Sequence, residues 1–230
     1  MLRVEKLDQF YGQSHTLWNV DFSVEEGSCT CIMGRNGVGK TTLLKAIMGL
    51  LPIKAGKIEL EGRSIHGLAA DARAKLGIGY VPQGREIFPQ LTVEENLKLG
   101  LLSGQRHKTI PDRVFQLFPV LREMLTRRGG DLSGGQQQQL AIGRALTLGP
   151  KLLILDEPTE GIQPNIVSEI ADILVKLNRQ EGLTLIVVEQ KLRFARKVGK
   201  DFFLLDRGRS VAGGPMSELT DGLVQQYLTV

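Results

Sequence analysis

The sequence predicts an α/β fold with a mixed sheet core, N-terminal antiparallel strands and an inserted helical segment. The apolar run Cys29–Met33 is followed directly by a glycine-rich loop and then by the helix-type run Leu43–Met48. The run Leu152–Leu155 is short and entirely apolar, as expected of a strand buried on both faces of a parallel sheet. Strand-type and helix-type segments alternate after residue 151, which is the pattern of an α/β domain.

The remaining segments follow in the same order. Residues 1–33 show partial apolar alternation and predict strands, whereas residues 84–150 predict mostly helices. Thr92 and Glu95 have the spacing of a capping box at the start of one of these helices. With 230 residues, we expect one domain, 1–230, in which a core of 1–83 and 151–230 carries the helical insertion 84–150.

Composition excludes some classes of protein. The net charge of +4 is modest and the basic residues are mostly scattered, so no nucleic-acid partner is expected. No apolar run approaches the roughly 20 residues of a membrane span. The only cysteines, Cys29 and Cys31, lie on the same predicted strand and are expected to be reduced core thiols.

The glycine-rich loop has the Gly-x-x-x-x-Gly-Lys-Thr spacing of a phosphate-binding loop. Its glycines allow backbone torsions closed to other residues and let a phosphate approach the main-chain amides at the start of the helix. We expect Lys40 to reach the β- and γ-phosphates and the Thr41 hydroxyl to bind Mg²⁺. A glycine-rich turn without a ligand is the weaker alternative. The expected nucleotide-binding residues are Gly34, Arg35, Asn36, Gly37, Val38, Gly39, Lys40, Thr41 and Thr42.

Two acidic residues, Asp156 and Glu157, end the apolar strand 152–155. The carboxyl end of a buried strand is where an α/β sheet places ligand-binding groups. Asp156 is therefore the expected protein ligand of Mg²⁺, and Glu157 is placed to orient or polarise a water molecule for attack on the γ-phosphate. An acidic turn that merely ends a strand is the alternative.

The segment Ser133–Gly134–Gly135–Gln136 begins a second helix that could bind an anion. Ordinary capping by Ser133 is the simpler interpretation. However, paired glycines at a helix start leave its amides open to an anion. One nucleotide could use both helix ends only if they met in one site.

These motifs together resemble the ATP-binding-cassette (ABC) ATPases over essentially the whole chain. The resemblance rests on Gly34–Thr42 (Walker A), Gln83 (Q-loop), Leu132–Gln136 (signature) and Leu152–Glu157 (Walker B). It implies a P-loop NTPase that works as a head-to-tail dimer, in which each ATP contacts the Walker A motif of one subunit and Ser133–Gln136 of the other. It also implies that Tyr11 stacks on adenine and that Gln83 senses Mg²⁺ or the γ-phosphate.

The resemblance further implies a subunit of a bacterial importer at the cytoplasmic face of the inner membrane. The expected partners are a second ATPase subunit, identical or paralogous, two integral membrane permease subunits and, indirectly, an extracytoplasmic solute-binding protein. Residues 84–150 would meet the permeases. Within the branched-chain amino acid importer group, Gln83 and Ile162–Gln163–Pro164 resemble the urea importers, so urea is the favoured solute.

Several alternatives stay open at this point. They are a branched-chain amino acid importer ATPase, a non-transport ABC ATPase and, weakest, a small-molecule kinase.

The chain also departs from the usual family pattern, because Gln190 replaces the usual switch His and Gln163 replaces an Asp. Gln190 can donate a hydrogen bond to a γ-phosphate but cannot titrate. Glu157, Gln190 and Lys40 are the expected catalytic residues, and Thr41, Gln83 and Asp156 the expected metal-binding residues.

Overall fold

The computed structural model describes residues 1–103 and 108–229 and contains two β-sheets. The larger sheet has six strands in the order β10-β9-β3-β8-β7-β6. All of its neighbouring strands are parallel except β9 and β10, which form an antiparallel pair at one edge. Its strands are β3 (Cys29–Met33), β6 (Ile78–Val81), β7 (Leu152–Asp156), β8 (Thr184–Val188), β9 (Asp201–Asp206) and β10 (Arg209–Pro215).

The smaller sheet is entirely antiparallel and has the order β2-β1-β4-β5. Apolar residues alternate along its strands, so that one face is buried against the larger sheet and the first helix. This confirms the expected N-terminal antiparallel strands and the mixed sheet core. Its strands are β1 (Leu2–Tyr11), β2 (Ser14–Val24), β4 (Ala55–Leu60) and β5 (Arg63–Ser64).

The six-stranded sheet separates two hydrophobic cores. On β3, Cys29, Cys31 and Met33 face one core, whereas Ile32 faces the other. Successive side chains of a strand point to opposite faces, so a strand that is apolar throughout contributes to both layers. This explains the uninterrupted apolar runs in β7 and β8.

Helices cover both faces of this sheet. The first lies on the side of the antiparallel sheet, and most of the others pack on the opposite side. No helix within residues 1–103 and 108–229 is long and apolar enough to cross a membrane. The helices are α1 (Lys40–Met48), α2 (Ala70–Lys75), α3 (Val93–Ser103), α4 (Asp112–Leu117), α5 (Pro119–Glu123), α6 (Gly134–Thr147), α7 (Pro164–Arg179), α8 (Leu192–Val198) and α9 (Asp221–Tyr227).

The chain between β6 and β7 is mostly helical, as the sequence predicts. It contains α3 to α6 and a short 3₁₀ turn at Gly129–Asp131. The Thr92 hydroxyl accepts from the Glu95 amide at 3.2 Å, and the Glu95 carboxylate accepts from the Thr92 amide at 2.7 Å. The predicted capping box is therefore present at the start of α3.

Arg73 of α2 secures the end of α1. Its buried guanidinium donates to the carbonyls of Ala46 at 2.8 Å and Ile47 at 2.6 Å, in the last turn of that helix. It also donates to the carbonyls of Leu68 and His66, both at 2.9 Å. The last carbonyls of a helix have no partner within the helix, so one side chain supplies the missing donors.

Replacing Arg73 with Met should lower the free energy of unfolding by about 2–4 kcal/mol, because four carbonyls lose a charged donor. Urea denaturation followed by circular dichroism measures this change. Arg122→Met is the matched control: Arg122 pairs with Asp112 at the surface, and its loss should change stability by no more than about 0.5 kcal/mol. Equal midpoints for the two variants would contradict this role of Arg73.

Candidate functional site

The loop between β3 and α1 needs its glycines for two different reasons. A Cβ on Gly34 would lie 2.2 Å from the Leu205 carbonyl oxygen, so no side chain fits there. A Cβ on Gly39 would lie 2.8 Å from the Leu17 side chain. Gly37 has free space around it, but its φ of 79° is a torsion that residues with a Cβ rarely adopt. All three glycines thus have a positive φ (149°, 79° and 107° at Gly34, Gly37 and Gly39), and close packing against backbone is a further requirement at Gly34.

Lys40 is folded across this loop. Its buried ammonium donates to the carbonyls of Gly34 and Arg35, both at 2.8 Å. Burial lowers the pKa of Lys40, and the charges of Glu157 and Asp156 act in the opposite direction. An ammonium held above the loop by two carbonyls is placed to contact a phosphate that enters the loop.

Asp156, at the end of β7, is a buried carboxylate that lacks partners. Neither of its oxygens has a hydrogen-bond partner of good geometry within the described chain. Burial raises the pKa of Asp156 from its ordinary value of 3.8 to about 6, although the neighbouring Thr41 hydroxyl and Lys40 counter part of this shift. A buried charge normally has a partner or binds a cation, so these two free oxygens fit a metal ion.

The chemistry of this donor set fits Mg²⁺. Among residues 1–103 and 108–229, no group of three or more His, Cys, Asp and Glu side chains could hold a metal ion alone. Mg²⁺ typically binds through one or two protein oxygens together with water and the phosphates of a nucleotide. The Asp156 carboxylate and the hydroxyl of Thr41, in the first turn of α1, are oxygens of this kind.

Glu157 lies between two side-chain amides. Gln190 donates through Nε2 to Glu157 Oε1 at 2.7 Å and to Asn36 Oδ1 at 2.6 Å. Gln83 donates through Nε2 to Glu157 Oε2 at 3.4 Å and to Glu160 Oε2 at 3.1 Å. The structure therefore brings the expected catalytic carboxylate, the residue at the switch position and the Q-loop glutamine together. Gln83 donates to Glu157 and Glu160, and no hydrogen bond joins it to Asp156.

The backbone at Glu157 is also unusual. Its φ is 48°, and its amide donates to the Val188 carbonyl at 3.0 Å. A non-glycine residue in the left-handed region is uncommon and often marks a functional position. This torsion turns the chain directly after Asp156, so that two consecutive carboxylates have different surroundings.

Ser133 caps α6 in a complete capping box. Its hydroxyl accepts from the Gln136 amide at 3.3 Å, and its own amide donates to the Gln136 side chain at 2.9 Å. Both are local bonds, and no hydrogen bond in the described chain joins this turn to the 34–42 loop. The two helix ends that the sequence predicts as anion sites are therefore not joined by hydrogen bonds within the described residues of one chain.

Tyr11 is 47% exposed at the end of β1. It lies two residues beyond Gln9, which pairs with Leu17, and the Leu17 side chain packs against Gly39. Tyr11 therefore lies at the end of a strand whose neighbour contacts the phosphate loop. A stacking contact with adenine stays a prediction.

Two acidic residues at this edge, Glu160 and Glu189, were not among those expected from the sequence. Glu160 accepts from Gln83, as described above. The buried Glu189 accepts from the Thr159 hydroxyl at 2.6 Å and from the amides of Gln190 at 2.8 Å and Lys191 at 2.9 Å. Glu189 thereby fixes the turn that presents Gln190. Glu189 directly follows the apolar strand 184–188, just as Asp156 follows the apolar run 152–155. The same sequence pattern could therefore have identified it.

Comparison with known proteins gives the family. The family model for ABC transporters matches residues 17–160, more than half of the chain. The high-affinity branched-chain amino acid transport ATP-binding protein BraG of Pseudomonas aeruginosa is 40% identical over 213 residues, covering 92% of this chain and 91% of that protein. The probable branched-chain amino acid transport ATP-binding protein LivF of Archaeoglobus fulgidus is 39% identical, covering 96% and 94%. The glutamate/aspartate import ATP-binding protein GltL of Escherichia coli is 33% identical, covering 96% and 93%.

Solved structures agree with this assignment. A dimeric ATP-binding cassette in a post-hydrolysis state, bound to ADP and Pi, superposes with a TM-score of 0.84 at 27% identity, covering 94% of this chain and 99% of that one. A cassette of an ABC transporter in its ADP conformation gives a TM-score of 0.81 at 29% identity, covering 95% and 92%. The chain therefore belongs to the ABC transporter family and is an ATP-hydrolysing cassette that binds ATP with Mg²⁺.

Proposed function

We propose that this chain is the ATPase subunit of an importer for branched-chain amino acids. The similarity to the Pseudomonas and Archaeoglobus proteins carries this choice of solute, because both are named for that transport and each matches more than nine-tenths of the chain. The sequence-based preference for urea finds no support in these relatives. Urea uptake therefore becomes the competing outcome of the experiment that tests the solute.

The catalytic proposal follows from the geometry at the end of the parallel strands. Glu157 orients the attacking water, while the amides of Gln83 and Gln190 hold its two carboxylate oxygens. Lys40 exchanges its contacts with the loop carbonyls for contacts with the β- and γ-phosphates. Asp156 and Thr41 would hold Mg²⁺, which would supply charge neutralisation at the phosphates. Gln190 supports the γ-phosphate as a neutral donor, since its amide cannot titrate.

The two separate anion-type helix ends favour a site shared between subunits. We place the turn 133–136 of one subunit against the nucleotide that the 34–42 loop of its partner holds. The dimeric cassette among the similar structures supports this arrangement. Residues 84–150 form the helical part that meets two membrane permeases, and 1–83 with 151–230 form the nucleotide-binding core of one domain. The subunit then lies peripherally at the cytoplasmic face of the membrane, and a solute-binding protein delivers the solute from outside.

Reconstitution tests the solute. The chain is combined with candidate permeases and partner ATPase in proteoliposomes, and ATP hydrolysis is measured with binding protein loaded with leucine, with urea or with nothing. We expect leucine-loaded binding protein to stimulate hydrolysis about tenfold or more over the empty protein, because solute-dependent closure drives the coupled step. Stimulation by the urea-loaded system alone would restore the urea assignment and remove this one.

Replacing Glu157 with Gln should slow ATP hydrolysis by at least about 100-fold, because the amide cannot accept a proton from water. Binding of ATP should stay within about twofold, since the phosphate loop is unchanged. Single-turnover hydrolysis and equilibrium nucleotide binding measure the two quantities. Glu94→Gln, which removes an exposed carboxylate on α3, is the control and should hydrolyse ATP like the wild type. Wild-type turnover in the Glu157 variant would exclude it as the catalytic carboxylate.

Replacing Asp156 with Asn should stabilise the metal-free protein at pH 8 and destabilise it relative to wild type when Mg²⁺ and ATP are present. Burial raises the pKa of Asp156 to about 6, so the folded state disfavours the ionised form. The resulting penalty is complete above about pH 6, shrinks as the pH falls, and is absent below the ordinary pKa near 3.8. It amounts to at most about 3 kcal/mol.

Thermal unfolding between pH 4 and pH 8, with EDTA or with Mg²⁺ and ATP, measures this behaviour. Asp112→Asn, at an exposed position, is the control and should show neither effect. A gain in stability from Asp156→Asn that is equal at pH 4 and pH 8 would contradict the assigned pKa. An unchanged stabilisation by Mg²⁺ and ATP would contradict its role as a metal ligand.

A further inference from the structure

The segment that follows Gln83 has an exceptional backbone. Gly84, Arg85 and Glu86 are three consecutive residues with positive φ, at 78°, 71° and 45°. For two residues with side chains this conformation is rare, and surrounding contacts must hold it. Arg144 of α6 provides such contacts, because its guanidinium donates to the Glu86 carbonyl at 2.8 Å and to the Arg85 carbonyl at 3.3 Å.

This backbone directs the Arg85 side chain between two other segments of the site. One guanidinium nitrogen donates to the Gln137 side chain on α6 at 3.3 Å, and the other donates to the Glu160 carbonyl at 3.1 Å. A Cβ on Gly134 would lie 3.3 Å from both nitrogens. The guanidinium is therefore packed directly beside the first turn of α6.

Glu160 is held from two sides as a result. Its side chain accepts from Gln83, and its carbonyl accepts from Arg85, which lies two residues after Gln83. The Q-loop and the segment after the Walker B strand are thus joined at one residue. Arg85 extends this connection to α6, the helix that begins at the signature turn.

The charge of Arg85 adds a second argument. Within residues 1–103 and 108–229, the ion pairs involve other cations, and none involves Arg85. A cation beside the positive N-terminal end of a helix is unfavourable, and an anion bound at that end relieves the repulsion. The position of Arg85 is thus more favourable when a phosphate contacts the signature turn.

We infer that Arg85 is a positioning residue for ATP hydrolysis, whose guanidinium holds the first turn of α6 against the segment that follows Glu157. The turn that this subunit presents to its partner's nucleotide is then coupled through Arg85 to the edge that binds its own nucleotide. Arg85 acts through these segments and is not assigned a contact with ATP. The inference rests on the shared site proposed above, and the experiment separates the two.

The test uses Arg85→Lys and Arg85→Met in the full chain. Lys keeps the charge but has a single nitrogen in place of the planar fork, whose two nitrogens reach the two acceptors separately, so both variants should lose the connection. We expect kcat for ATP to fall about tenfold or more in both, and the protein concentration for half-maximal activity to rise by a similar factor. Affinity for Mg²⁺ and ADP, measured by calorimetry, should stay within about twofold because the 34–42 loop is intact.

Two further variants complete the design. Arg122→Lys at the surface is the matched control and should leave all three quantities unchanged. Gln137→Ala removes one acceptor of Arg85 and leaves the strained backbone intact, so it should lower kcat in the same direction if Arg85 acts through α6. This variant gives an answer even if the Arg85 variants fold poorly.

The outcomes are distinct. Wild-type kcat in Arg85→Met or in Gln137→Ala would overturn the inference, as would full activity of Arg85→Lys. A fall in ADP affinity parallel to the fall in kcat would also overturn it, because Arg85 would then support the nucleotide loop itself. Turnover per subunit that is independent of wild-type protein concentration would instead refute the shared site.

Discussion

The parallel pairing of three strands determines where everything else in the site lies. Val188 at the end of β8 pairs with Ile32 of β3 on one side and with Asp156 of β7 on the other. The three strands therefore end at one level, and the residues that follow each of them start from one edge of the sheet. The phosphate loop, the Walker B carboxylates and the turn at Glu189 and Gln190 meet for this reason. A shift of one strand by two residues would keep every side chain on its face and still separate the metal ligand from the loop.

Much of this arrangement could be predicted from sequence because its signals are local. A glycine-rich loop between an apolar run and a helix can be recognised from the sequence alone. Asp156 follows an apolar run, 152–155, whose uniform apolarity indicates burial on both faces of the sheet. The strand order could not be predicted in the same way, because it depends on pairings between distant segments. β3 lies between β8 and β9, more than 150 residues away in the chain. The contacts of Glu160 and Arg85 depend on this order and on the torsions after Gln83, so no local pattern indicates them.

The site combines charges that are incompletely balanced without a ligand. Among the described residues, Asp156 is buried with no hydrogen-bond partner of good geometry, Lys40 donates to two loop carbonyls, and Glu157 accepts from the neutral amides of Gln83 and Gln190. Nucleotide and metal would provide partners for the first two groups together. With Gln190 in place of a titratable His, the pH response of this edge depends mainly on carboxylates. Ligand binding and local stability are therefore coupled through Asp156 and Lys40.

The two thiols of β3 have a practical consequence. Cys29 and Cys31 are fully buried and unpaired, and the neighbouring Cys29 together with burial raises the pKa of Cys31 well above its ordinary value. Thiol reagents act on the exposed thiolate, so the folded protein should react with them very slowly. A cysteine introduced at the surface could then carry a spin label or fluorophore without removal of the native pair. Distances between labelled helices could be followed through the ATP cycle in a protein whose core is unaltered.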